Sequence, residues 1–160
     1  MPALGPAQLL AADRSGISPT DTVVEFAARQ GRVVVIRHIA PDNAVFAIVS
    51  VPPDSNATDR VTLTLRPLPG RYGLQVAATP RLPDGTVLTF SYAIHFQAPA
   101  AIPSASYPTA ARYAEWLAIG QLQADGNFRY LANTRPGGDL LRAVLPGPGE
   151  YLIAAPVTPP

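Results

Sequence analysis

The sequence predicts an all-β, antiparallel β-sandwich, and three observations carry that expectation. Nineteen prolines and twelve glycines punctuate the 160 residues. The runs between them are short and rich in Val, Ile, Leu, Thr, Phe and Tyr, as in sandwiches and barrels. One run alternates cleanly, with Val61, Leu63 and Leu65 on one side and Thr62 and Thr64 on the other, which is the two-residue period of a half-buried strand. Turn sequences such as Pro83-Asp84-Gly85 separate the runs; proline presets φ, aspartate bonds its own backbone and glycine accepts positive φ.

Taken in chain order, residues 1–20 read as an irregular N-terminal arm with at most one helical turn around residues 8–12. Pro2, Gly5, Pro6 and Gly16 interrupt it, and Leu4, Leu9, Leu10 and Ile17 follow no strand period. Such an arm is expected to pack on another chain rather than on its own sandwich, because free leucines gain from burial. Residues 23–28, 32–39 and 45–51 read as strands, the last two separated by Ala40-Pro41-Asp42-Asn43. Pro52-Pro53-Asp54-Ser55-Asn56 breaks the chain before the strand at 61–65. Residues 72–78 place Tyr72, Leu74 and Val76 on one face. Residues 86–96 read as one long strand, with Leu88, Phe90, Tyr92, Ile94 and Phe96 inward and Thr89, Ser91 and His95 outward. The Pro-Asp-Gly turn is expected to join these two runs as a hairpin.

Residues 98–108 form a connector, and 109–115 suit one or two helical turns. Residues 116–123, 127–132, 140–145 and 151–155 complete the strands around the turns Asp125-Gly126 and Pro136-Gly137-Gly138. The closing segment from Pro156 is expected to stay outside the sheet, because proline donates no amide hydrogen bond. The organisation read from the sequence is an arm at 1–20, a sandwich at 21–156 and a Pro-rich tail at 157–160.

Composition narrows the function. Charged residues are 14% of the chain, against about 25% in an average soluble domain. All twelve basic residues are arginine, scattered from Arg14 to Arg142, and the net charge is +1. No basic stripe is available to neutralise a phosphate backbone, so nucleic acid is not an expected partner. Apolar residues reach 48%, yet no uninterrupted run approaches the roughly 18 residues of a membrane span. High apolar content with little charge points to surface hidden in an assembly. Without cysteine, disulfides and thiolate metal sites do not arise. The first sixteen residues lack the basic start and apolar stretch of a secretory signal.

Few residues suggest chemistry. His38 and His95 share no local ligand spacing, and a metal or triad role requires the fold to join them; otherwise they are surface or strand-end histidines. Asp54, Asn56 and Asp59 cluster oxygen ligands as calcium loops do, without the Gly and bidentate Glu of an EF-hand, and turns select the same residues. Asn56-Ala57-Thr58 has the form of a glycosylation sequon. Acid–base work needs two carboxylates in one cleft, whereas only three glutamates exist and Asp42, Asp54, Asp59, Asp84, Asp125 and Asp139 occupy turn contexts; no Gly-x-Ser-x-Gly or His-Glu-x-x-His is present. No catalytic residue and no cofactor are therefore expected.

Residues 61–69, Leu82-Pro83-Asp84-Gly85-Thr86 and the apolar run 87–96 resemble a succession found in bacterial immunoglobulin-like and ZU5-like sandwich modules. So does the later series of 117–123, Asp125-Gly126, Phe128, Tyr130, 140–145 and Gly149-Glu150-Tyr151. The likeness covers roughly residues 45–155. Where those modules read Pro-Pro-Gly-Ala-Leu, this chain reads Val51-Pro52-Pro53-Asp54-Ser55. The resemblance implies an immunoglobulin-like fold and a contact-making role in larger surface or adaptor proteins; it carries no functional residues across. The sequence thus leads to a non-catalytic structural or interaction protein that self-associates or joins a larger assembly through its arm. The alternatives are a virion decoration protein or filament subunit, and a carbohydrate- or calcium-binding surface module. An extracellular, cell-surface or virion setting is favoured over the cytoplasm.

Overall fold

A computed structural model describes residues 3–39, 42–99 and 106–159. Ala40 and Pro41 of the expected turn, residues 100–105 of the connector, the first two residues and Pro160 lie outside the described residues. A 3-10 turn at Pro6–Gln8 leads into β1 (Leu9–Ala11), β2 (Asp13–Arg14), β3 (Thr22–Ala27), β4 (Arg32–Arg37), β5 (Val45–Val51), β6 (Arg60–Pro67), β7 (Gly73–Thr79), β8 (Val87–Ser91) and β9 (Phe96–Gln97). Helix α1 (Ala110–Glu115) precedes β10 (Ala118–Leu122), β11 (Phe128–Tyr130), β12 (Asn133–Thr134), β13 (Leu140–Val144) and β14 (Gly149–Pro156).

The strands form two antiparallel sheets and one short ribbon. The larger sheet runs β11-β10-β14-β7-β6-β3, with β1 also on β14; the smaller runs β12-β13-β8-β5-β4; β2 pairs with β9. One apolar core takes Val61, Leu63, Leu65, Leu74, Val76 and Ile153 from the larger sheet and Val34, Ile36, Val49, Leu88, Phe90 and Leu141 from the smaller. The all-β expectation and the inward face of the 61–65 run therefore hold.

Phe46 and Ala47 are consecutive yet both fully buried. The register explains this, because Ile36 pairs with Ala47 and Arg37 with Val45, leaving Phe46 as an extra residue. A bulge of this kind turns a side chain that strict alternation would face outward. Phe46 then packs edge-on against Phe90 and stacks on Tyr72, each at 5.7 Å between ring centroids.

Four sequence expectations are corrected. First, 72–78 and 86–96 are not a hairpin: β7 pairs with β6 and β14, and β8 with β5 and β13. Residues 80–86 are long enough to cross the roughly 10 Å between packed sheets, and Leu82 anchors the crossing in the core. Second, the long strand stops at Ser91. Tyr92 remains buried, Ile94 is 47% exposed, and Phe96 belongs to the small ribbon. Third, the arm folds on its own body. Leu9, Leu10 and Ala11 pair with Pro156, Ala155 and Ala154, and Ala12 is fully buried. β7 leaves β14 after the Gly73–Leu152 pair, and the rest of that edge would carry unpaired amides and carbonyls. β1 fills that position, with the Ala12 amide donating to Ile153 O (3.0 Å) and the Val157 amide to Gln8 O (2.9 Å). Fourth, Pro156, expected to stay outside the sheet, ends β14 as the partner of Leu9, at a position that asks no amide of it.

Close packing across the larger sheet also singles out Gly120. A methyl group there would meet the Phe128 ring and stand 2.6 Å from Arg129 O. Gly120→Ala is expected to cost about 1–3 kcal/mol, as overpacking does; a urea midpoint equal to wild type would show that Phe128 swings clear.

Candidate functional site

The fold joins the two histidines. Val34, Ile36 and His38 share a face of the chain entering the core, and His38 is 3% exposed. The bend after β8 reverses the alternation that pointed His95 to solvent. His95 adopts φ 66°, a left-handed conformation that non-glycine residues hold only when their surroundings impose it. The two rings meet at 4.4 Å between centroids. The expectation of surface histidines is thus corrected for His38, and that of an outward His95 is corrected to a half-buried ring.

Two further segments converge on His95. Its Nε2 lies 2.7 Å from Asp42 Oδ2, and its Nδ1 lies 3.3 Å from Ser15 Oγ. A ring protonated at Nε2 donates to Asp42 while Nδ1 accepts from the serine hydroxyl, so one tautomer satisfies both. Asp42 is fixed in an Asx turn by accepting the Ala44 amide at 3.0 Å, with Asn43 at φ 51°. Beside Ser15, Gly16 sits at φ 84°, and a Cβ there would stand 3.2 Å from His95 Nδ1. Glycine is what lets the arm pass the ring.

Arg14 lies beneath this group and is 4% exposed. Its guanidinium donates to Arg71 O (3.3 Å), Ile17 O (3.3 Å) and Ser18 Oγ (2.7 Å), and sits 5.7 Å over the Phe46 ring. Every one of those partners is neutral. Burial lowers the Arg14 pKa, with the neighbouring Tyr72 acting the other way. Burial likewise raises Tyr72, whose hydroxyl donates to Ile94 O. The Ala44 amide first, then His95, hold Asp42 below its ordinary value.

His38 has no such support: neither ring nitrogen has a hydrogen-bond partner among the described residues. Burial first, then the His95 and Arg14 charges, lower its pKa from 6.5 to about 4. A folded-state pKa below the unfolded one contributes stability that is complete above pH 6.5 and is lost as the pH falls toward 4.

The order Ser15–His95–Asp42 is that of a nucleophile, base and orienting acid. The same residues also form a clasp. The Ser15 amide donates to His95 O at 2.8 Å, and the hydroxyl also approaches that carbonyl at 3.4 Å. Serine thus ties the arm to the β8–β9 loop through both of its donors.

The residues read as calcium ligands lie at the other end of the molecule. Asp54 Oδ1 accepts the Asn56 amide (3.1 Å), and the Ala28 amide donates to Asp59 O (3.1 Å). Asp54 and Asp59 line a hollow of ≈ 270 Å³ with Asp84, Arg81 and three prolines, and Asn56 does not line it. Among the described residues no group of three or more His, Cys, Asp or Glu side chains is placed to hold a metal ion.

Sequence reasoning missed Ser15, Arg14 and Arg135. Arg135 donates to Tyr92 Oη (2.8 Å) and Leu117 O (2.8 Å), and more distantly to Ala114 O and Glu115 O, fastening the end of α1 to the smaller sheet. Gly16 beside Ser15 was the one local sign of close approach; a lone arginine among small residues gives none. Comparison with family models, with curated proteins and with solved structures found no match for this chain.

Proposed function

We propose that this chain is a non-catalytic, immunoglobulin-like sandwich module that makes protein–protein contacts in a larger assembly, of the kind a cell surface or virion carries. The observation that supports this reading is the outer face of the smaller sheet. Val33, Ser50, Val87 and Val144 lie side by side across four strands, as do Val35, Ile48, Thr89 and Arg142. Val33 is 61% and Val144 59% exposed. One face of an antiparallel sheet ordinarily meets water with polar side chains. Exposed valines at Val33, Val35 and Val144 instead suit an interaction surface. β4 also ends the sheet, so its outer backbone edge is open among the described residues.

Light scattering over a concentration series tests the reading with a second copy as the partner. Wild type is expected to exceed the monomer mass as concentration rises. The double variant Val33→Lys, Val144→Lys is expected to stay monomeric. Its stability should lie within about 0.5 kcal/mol of wild type, because exposed positions tolerate such changes. A wild type that remains monomeric throughout would end the self-association form of the proposal.

A further inference from the structure

The described contacts make His38 a conflict held in place. The ring lies against His95 at 4.4 Å and edge-on to Phe46 and Tyr72 at 5.5 and 6.4 Å. The charged and titratable groups facing it come from every element packed around it: Arg14 from β2, Asp42 from the β4–β5 loop, His95 from the β8–β9 loop and Tyr72 from the start of β7. Arg14 already places a cation there with only neutral acceptors. The two nitrogens of the His95 ring fasten the arm, through Ser15 at Nδ1, and the β4–β5 loop, through Asp42 at Nε2.

We propose that His38 is the trigger of an acid-operated latch: protonation of its ring drives His38 and His95 apart and releases Ser15, and with it the N-terminal arm, from the body. Neutral, His38 is an aromatic wall that backs His95 in its left-handed conformation. Charged, it has no acceptor within hydrogen-bond distance among the described residues, His95 and Arg14 oppose the charge more than Asp42 supports it, and a buried charge without a bonded partner is strongly disfavoured. Relief comes most easily from the weakest neighbour. Residues 92–95 lie outside both sheets, and the ribbon that follows pairs with the arm over only Asp13–Gln97 and Arg14–Phe96. Once the His95 loop moves, Ser15 loses its partner, and the arm is left with β1, the Leu4–Phe128 bridge, the Arg14 amide on Gly70 O, the Tyr113 hydroxyl on Leu10 O and the Asp13–Arg71 ion pair. β1 is only three residues long, and a strand that short adds little by itself.

The test is hydrogen–deuterium exchange on the full chain at pH 7.5 and pH 4, corrected for the intrinsic pH dependence of exchange. The amides to follow are Ala12, Arg14, Ser15 and Val157, each bonded across the arm. With His38 depressed to about 4 when latched and ordinary when released, opening of the arm should rise on the order of a hundred-fold between the two pH values. Amides of β6 and β8 should keep their protection. His38→Phe, which retains the ring and removes the proton site, should abolish the pH dependence. In wild type, an NMR titration should show the arm amides and the His38 ring changing with one midpoint, which tests the latch even if the variant folds poorly. Three results would overturn it: an arm still protected after His38 has protonated, simultaneous loss of protection in β6 and β8, or acid opening that persists in His38→Phe. The last would assign the effect to another group of the clasp.

Discussion

Phe90→Ala is expected to lower the unfolding free energy by about 3–5 kcal/mol, the range for truncating a buried aromatic. Phe90 is fully buried in β8 and has strands on both sides, with Leu141 and Ala47 as its register partners. Its ring meets Phe46, which stacks in turn on Tyr72 against the larger sheet. Truncation would therefore open a cavity where the two sheets meet, and Phe46 is held by its bulge and cannot follow. Phe90→Leu should recover most of the loss, since it restores volume without the ring. Urea denaturation of the three proteins checks this. A loss under about 1 kcal/mol for the alanine variant would mean that the core collapses around the site.

Deleting residues 2–16 is expected to destabilise the chain by more than about 3 kcal/mol, from lost burial and from backbone groups left without partners. The deletion removes the buried Ala12 and Arg14 and most of the packing of Leu10. It strands Ile153 O and the amides of Tyr72 and Val157, which now bond Ala12 and Gln8. It also leaves the Tyr113 hydroxyl, which donates to Leu10 O at 2.7 Å, without its acceptor in a fully buried position. Thermal melting of the truncated chain decides the matter. An unchanged melting temperature would show that the arm adds no stability to its own fold.

What could be read in the sequence was whatever depends on local period and turn chemistry. Val61, Leu63 and Leu65 face the core as alternation requires, 45–51 is a strand with the expected limits, and α1 forms where Thr109 caps it by accepting the Arg112 amide. The break after Ser91 could not be seen, because Tyr92, Ile94 and Phe96 continue the alternation in the letters while the chain bends. The bulge at Phe46 depends on what β4 places opposite it. The sheet assignments of β7 and β8 follow from pairing with β14 and β13, far along the chain. β1 is too short to show any period, so its leucines looked unattached. The site suffered most: Ser15 comes from the arm, His38 and Asp42 from the connection between β4 and β5, and His95 from the loop after β8, and each is unremarkable alone.

The position of β14 has a consequence for how the protein is made. The last of the strands in chain order lies between β10 and β7 and also holds β1, the first. Until residues 149–156 have left the ribosome, three earlier strands lack a neighbour, and the larger sheet is two fragments, β11-β10 and β7-β6-β3, with β1 unattached. Synthesis from the N-terminus therefore cannot complete this sheet by stepwise addition. The nascent chain has to keep two open edges from pairing with anything else until their common partner arrives.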